Sequence, residues 1–169
     1  MESKVKLFGH PIHPMLIAFP LGLLATSLVF DIVHWITGNG FFSHVAFWMI
    51  AAGVIGGLLA AIFGLIDWLI IPSGTRAKTV GMFHGVGNVV IVVLFIVSWL
   101  LRMNTQTNPS VLAYALSVVG VVLALITSWL GGELVDRLGV GVDEGAHLDT
   151  PSSLRGQKIP VRASLNEES

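Results

Sequence analysis

Five side chains in this sequence bind metals or move protons by type, yet stand in or beside long apolar stretches: His10, His13, Asp67, His84 and Glu133. Imidazole and carboxylate together suit iron, zinc or manganese, and two opposed imidazoles with an apolar slot suffice for haem b. An ionisable group costs roughly 2.5–3.5 kcal/mol near the centre of a membrane span and less near its ends, so each of the five asks for a reason. His10 and His13 both precede a proline, in Gly9-His10-Pro11-Ile12-His13-Pro14, and a pre-proline residue is pushed towards extended or polyproline geometry. That geometry puts both rings on one side with their backbones about 9 Å apart, a reach that one small ion spans only if the segment turns. A helix beginning at Pro11 would also put them on one face. Asn88 follows His84 by four residues and could orient its ring from outside the ligand set. Asp67 could bind metal, hold a histidine tautomer, or pair with Arg76 or Lys78.

The elements that must position these groups are read from composition. The chain has 169 residues, 54% hydrophobic and 11% charged, with a mean hydropathy of +0.83, which excludes an ordinary water-soluble globule. A net charge of -1 excludes a nucleic-acid surface. The absence of cysteine removes disulfides, thiolate zinc sites, iron-sulfur clusters and covalent haem attachment. Four stretches reach the roughly 20 apolar residues that a bilayer core requires: Met15 to Ile36, Val45 to Ile71, Val80 to Leu101 and Val111 to Val135. The first is too long for a cleaved signal peptide and carries Asp31 and His34 in place of a cleavage site. Short connections predict an all-α polytopic membrane protein, an antiparallel four-helix bundle over residues 1–138 with a flexible polar tail over 139–169.

Antiparallel order then places His10, His13, Asp67, His84 and Glu133 at one end of the bundle, a convergence that resembles a ligand set. Glu133 could equally reach the headgroup layer with Asp136 and Arg137. Eight Lys and Arg lie on that side, counting the tail, against Arg102 alone on the other, so both termini are expected in the cytoplasm. At the opposite end Asp31 and His34 share a face with Ser27, a weaker group read as an interfacial hydrogen-bonded pair beside Trp35. His147 is read as solvated. Trp48, Trp68, Trp99 and Trp129 suit membrane-interface belts.

Small residues mark where helices approach closely. Gly120, Ala124, Ser128 and Gly132 form one such row, and Ala52, Gly56, Ala60 and Gly64 another, with Gly53, Gly57 and Ala61 beside it. Pro20 is expected to kink the first span. Pro14 suits a first turn, Ser43 could cap the second helix, and Pro72 with Gly74 stops it.

The His-Pro-Ile-His-Pro opening, Phe19-Pro20, Asp31, Gly64 with Asp67, His84, and Gly131-Gly132-Glu133-Leu134-Val135 before Gly139-Val140-Gly141-Val142 together resemble a bacterial membrane family, domain of unknown function 2231. The resemblance covers about residues 9 to 142 and implies four spans in a bacterial inner membrane, without an assigned activity. It also implies a respiratory or electron-transfer context, through relatives joined to redox modules. Three functions follow. The first is a cofactor site, with a metal on His10, His13, Asp67, His84 and Glu133, or haem b on two of the histidines. The second is a small transporter or proton conductor, against which stand an apolar middle and no evident inverted repeat. The third is a structural or assembly subunit, in a membrane redox complex or a homo-oligomer. No nucleophile motif, phosphate loop or metalloprotease helix points to an enzyme.

Overall fold

The computed structural model describes residues 1–155, and four long helices account for most of them: α1 Ile12–Thr37, α2 Gly40–Ile70, α3 Arg76–Arg102 and α4 Val111–Gly132. All four are long and apolar enough to cross a membrane. At 1.5 Å per residue they measure about 33–46 Å, more than the ~30 Å hydrocarbon core, so their ends reach into the headgroup layers. A π-helical turn, Glu133–Arg137, extends α4. Before α1, β1 (Lys6–Leu7) and β2 (His10–Pro11) pair antiparallel. The turn between them runs through Phe8 and Gly9, both with positive φ, the geometry of a tight primed hairpin.

Three of the four helix starts are capped by the side chain ahead of them, while Pro11, ahead of α1, makes no such bond. Asn39 accepts from Phe41 N–H, Thr75 from Lys78 N–H and Ser110 from Ala113 N–H, satisfying donors that have no partner inside the helix. The second helix is therefore capped by Asn39, four residues before Ser43, which was expected to cap it and instead lies buried inside it. Gly38, at φ 69°, closes α1 through an N–H bond to the His34 carbonyl.

The packing seams alternate steps of three and four. On α3 the inward positions are Gly81, His84, Asn88, Ile91, Phe95, Ser98 and Arg102; on α1, His13, Ile17, Pro20, Leu24, Ser27, Asp31 and His34. Such a 3.5-residue repeat keeps one stripe facing its neighbours when helices cross at a shallow left-handed angle. It also corrects the small-residue row on α4. Gly120 faces Phe95 and Gly131 faces His84, with buried Thr127 between them and Ser128 exposed. A strict four-residue period drifts about 40° per step off one face, which carries Ser128 and Gly132 away. On α2 the glycines pack as expected, Gly53 against Leu24 and Gly56 against Pro20. Between the ends sits an apolar layer of Leu24, Ile50, Ile91 and Phe95.

A Cβ at Gly120 would lie 2.7 Å from the Phe95 ring, whereas at Gly85 it would meet nothing within 4 Å. Gly120→Ala is therefore expected to destabilise by about 1–3 kcal/mol through overpacking. Gly85→Ala should be neutral or stabilising by up to about 1 kcal/mol. Thermal unfolding of both variants in one detergent checks this, and equal midpoints would contradict the packing.

Candidate functional site

The structure brings two of the expected residues together at one end of the bundle. His13 on α1 and His84 on α3 stand with ring centroids 6.4 Å apart and planes at 89°. Both rings are fixed in the same way. His13 Nδ1 bonds the Ala60 carbonyl of α2 at 2.8 Å, and His84 Nδ1 bonds the Thr127 carbonyl of α4 at 2.8 Å. A carbonyl only accepts, so each Nδ1 carries the proton and, in the neutral ring, Nε2 presents the lone pair. A glycine makes room for each ring. A Cβ at Gly64 would lie 2.8 Å from His13 Cε1, and one at Gly131 would lie 3.2 Å from His84 Cε1.

The second nitrogens differ. Asn88 donates from Nδ2 to His84 Nε2 at 3.1 Å, and its Oδ1 accepts from Thr127 Oγ1 at 3.2 Å. With the His84 bond to the Thr127 carbonyl, this closes a ring of hydrogen bonds between α3 and α4. Asn88 thus touches His84 as the four-residue spacing suggested, but at Nε2 and not from behind the ring at Nδ1. His13 Nε2 has no such donor among the described residues.

The other three candidates lie apart from this pair. His10 is exposed on β2, with Nε2 3.4 Å from Ser153 Oγ. Asp67 accepts from buried Ser3 at 2.6 Å, not from Arg76 or Lys78. Glu133 pairs with Arg76. Lys78 instead covers the Trp68 ring and donates to the Trp68 carbonyl at the end of α2. Among the described residues no group of three or more His, Asp or Glu gathers closely enough to hold a metal ion. The chain order placed these residues in one layer correctly, but a shared layer does not fix where each side chain finds its partner.

Asp67 and Ser3 adjoin a clasp between residues 1–6 and residues 139–144. The Met1 amine donates to the Gly139 carbonyl at 3.0 Å, and Gly141 N–H returns a bond to the Met1 carbonyl at 2.9 Å. Lys6 pairs with both Glu2 and Asp143, and Glu144 N–H donates to the Glu2 carboxylate. The first part of the polar tail is therefore tied to the N-terminus; residues 156–169, to which that tail also extends, lie outside the described residues. His147, expected to be solvated, is exposed.

At the opposite end Asp31 and His34 do not bond each other. The Asp31 carboxylate takes two bonds from Arg102, both 2.7 Å, and the side chains are 2% and 0% exposed. Arg102 also donates to Ser98 and Ser117 and lies over the Tyr114 ring at 5.0 Å. His34 Nδ1 bonds the Asn39 carbonyl at 3.0 Å, its ring stacked near Tyr114. Ser27 donates to the Leu24 carbonyl of its own helix. Sequence reasoning counted Arg102 as a flanking charge and missed it as a partner. The available signal was that Asp31 and Arg102 carry opposite charge in the same layer. Eighteen helical residues separate His13 from Asp31, about 27 Å, so the two polar layers sit near opposite edges of the hydrocarbon core.

Residues 9–144 match the model of a family described as predicted membrane protein (DUF2231), and the chain belongs to that family. No curated protein and no solved structure matches it.

Two outcomes test this geometry. Arg102→Ala strands a buried carboxylate and is expected to cost about 3–5 kcal/mol, whereas Asp31→Leu with Arg102→Met should cost far less; unfolding in detergent compares them. In the clasp, the hydrogen bond from Lys6 holds Glu2 below its ordinary 4.5, and the bond to Asp143 holds Lys6 above its ordinary 10.5. The clasp should therefore stay closed between those values. It should open as pH falls through the lowered Glu2 value or rises through the raised Lys6 value. Amide exchange at Glu144 followed over a pH series reads this, and protection that never changes as the carboxylates are fully protonated would contradict it.

Proposed function

We propose that this member of the family is a membrane-embedded cofactor protein in which His13 and His84 hold a metal-centred group, haem b or a single iron, zinc or manganese ion, in an electron-transfer setting. The carrying observation is the common way in which the two imidazoles are held. An Nδ1–H bond to a helix carbonyl fixes tautomer and ring orientation and leaves Nε2 as the ligand nitrogen, the usual outer-shell arrangement of ligating histidines. His10, Asp67 and Glu133 drop out of the ligand set because each is engaged or exposed elsewhere. Haem, iron or manganese bound there would supply one-electron chemistry, whereas zinc would supply none and would leave the site a structural one; the chain supplies the two nitrogens and an apolar surround.

The positive excess beside the histidine end supports a cytoplasmic placement of both termini, and the family resemblance supports a bacterial inner membrane. A proton path is disfavoured by the apolar layer of Leu24, Ile50, Ile91 and Phe95, which carries no titratable group between the two ends. One observation favours a structural role as second reading: the closed ring of bonds through His84, Asn88 and Thr127 satisfies that histidine without any ligand.

Protein purified in detergent without chelator decides between them. A Soret band or about one equivalent of iron, zinc or manganese per chain is expected, lost in His13→Ala and in His84→Ala and kept in His147→Ala. Absence of both signals in the parent protein, or equal retention in all three variants, would overturn the cofactor reading in favour of the structural one.

A further inference from the structure

The two hairpins, α1–α2 and α3–α4, are one unit written twice. His84, Phe95, Ser98 and Arg102 each follow His13, Leu24, Ser27 and Asp31 by 71 positions. Ala113, Gly120, Thr127 and Gly131 follow Ala46, Gly53, Ala60 and Gly64 at a constant interval of their own. The contacts repeat with the residues. The bond from His13 to the Ala60 carbonyl becomes that from His84 to Thr127, at 2.8 Å in both. The packing of Leu24 on Gly53 becomes that of Phe95 on Gly120, with a Cβ at either glycine 2.7 Å from the facing side chain. Because α1 and α3 run in the same direction and each lies against α2 or α4, the units are related by about half a turn around the long axis of the bundle. His13 meets His84 across that axis, and Asp31 meets Arg102.

We infer that the paired-histidine site is a duplicated half-site on this axis, and that its ligand is a planar metal macrocycle, haem b, gripped once from each hairpin. The inference rests on the cofactor reading above and selects within it. A bare ion needs more than two ligands, and no third side chain joins the pair among the described residues; a macrocycle brings four nitrogens of its own. The two rings stand across this axis with centroids 6.4 Å apart and planes crossed at 89°.

The repeat also identifies where the halves differ at this site. Asn88 occupies the position equivalent to Ile17, so His84 Nε2 has an amide donor and His13 Nε2 has none. Asn88 competes with the metal for one lone pair, which makes His84 the displaceable ligand and His13 the fixed one. Asn88→Ile restores the symmetry of the halves, and Ile17→Asn extends the competition to His13.

Titration of the full-length, haem-depleted protein in detergent with hemin, followed at the Soret band, tests this. One hemin per chain is expected, with binding lost in His13→Ala. Exchanging one hydrogen bond of ordinary strength predicts about two- to tenfold tighter binding in Asn88→Ile and a similar weakening in Ile17→Asn. Helicity and thermal unfolding of each variant identify one that fails to fold, and the opposite substitution then carries the test. A bound ion lost with either histidine, without a hemin response, would overturn the macrocycle and leave the cofactor reading standing. Neither hemin nor ion bound would overturn both. Hemin binding with affinities unchanged in Asn88→Ile and Ile17→Asn would overturn the assignment of Asn88 as competitor.

Discussion

An imidazole that donates to the main-chain carbonyl of another helix does so only if the two backbones come close, and most of this bundle's inner surface follows from that. Within a lipid environment an unpaired N–H has no water to turn to, while each interhelical bond adds only about 0.6–2 kcal/mol. The approach must therefore come from shape. Gly64 and Gly131 supply it where His13 and His84 cross to α2 and α4, and Gly53 and Gly120 supply it one layer further in. Leu24 and Phe95 fill the space that the smaller residues leave.

Polar groups then occupy the two ends of the seam, with an apolar layer between. Helices that meet through hydrocarbon alone can slide, since lipid is as apolar as their own side chains. The bidentate Asp31–Arg102 pair cannot slide without separating charges that have no solvent. It fixes the register of α1 against α3, and the opposite ends of those two helices carry the histidines. A charge pair about 27 Å away thus helps set the distance between the rings. The terminal clasp, outside the hydrocarbon, ties Ser3 and Asp67 to the same end of the bundle.

Much of this was legible in the sequence, for physical reasons. Span length and apolarity gave the four helices, and chain order gave the layer shared by His13 and His84. The spacing of His84 and Asn88 gave their contact, because residues four apart on a helix are neighbours. Chain order says nothing about competition among neighbours, which is why Asp67 was not seen to belong to Ser3 or Glu133 to Arg76. Arg102 was hidden because a basic residue at a span end ordinarily snorkels to the headgroups; here Ser98, Ser117 and Asp31 draw it inward. The repeat was hidden because what it preserves is contact rather than identity: Leu24 with Phe95, Ala60 with Thr127 and Ile17 with Asn88 share places and not chemistry.

The Asp31–Arg102 pair also bears on self-recognition. A protein made of two like units faces a standing hazard, in which the first unit of one molecule docks on the first unit of another. That mismatch would set Asp31 against Asp31, and its counterpart would set Arg102 against Arg102, each a like-charge encounter in a place water does not reach. Only unlike halves neutralise each other, and the short connection from Pro72 to Thr75 keeps the correct half at hand.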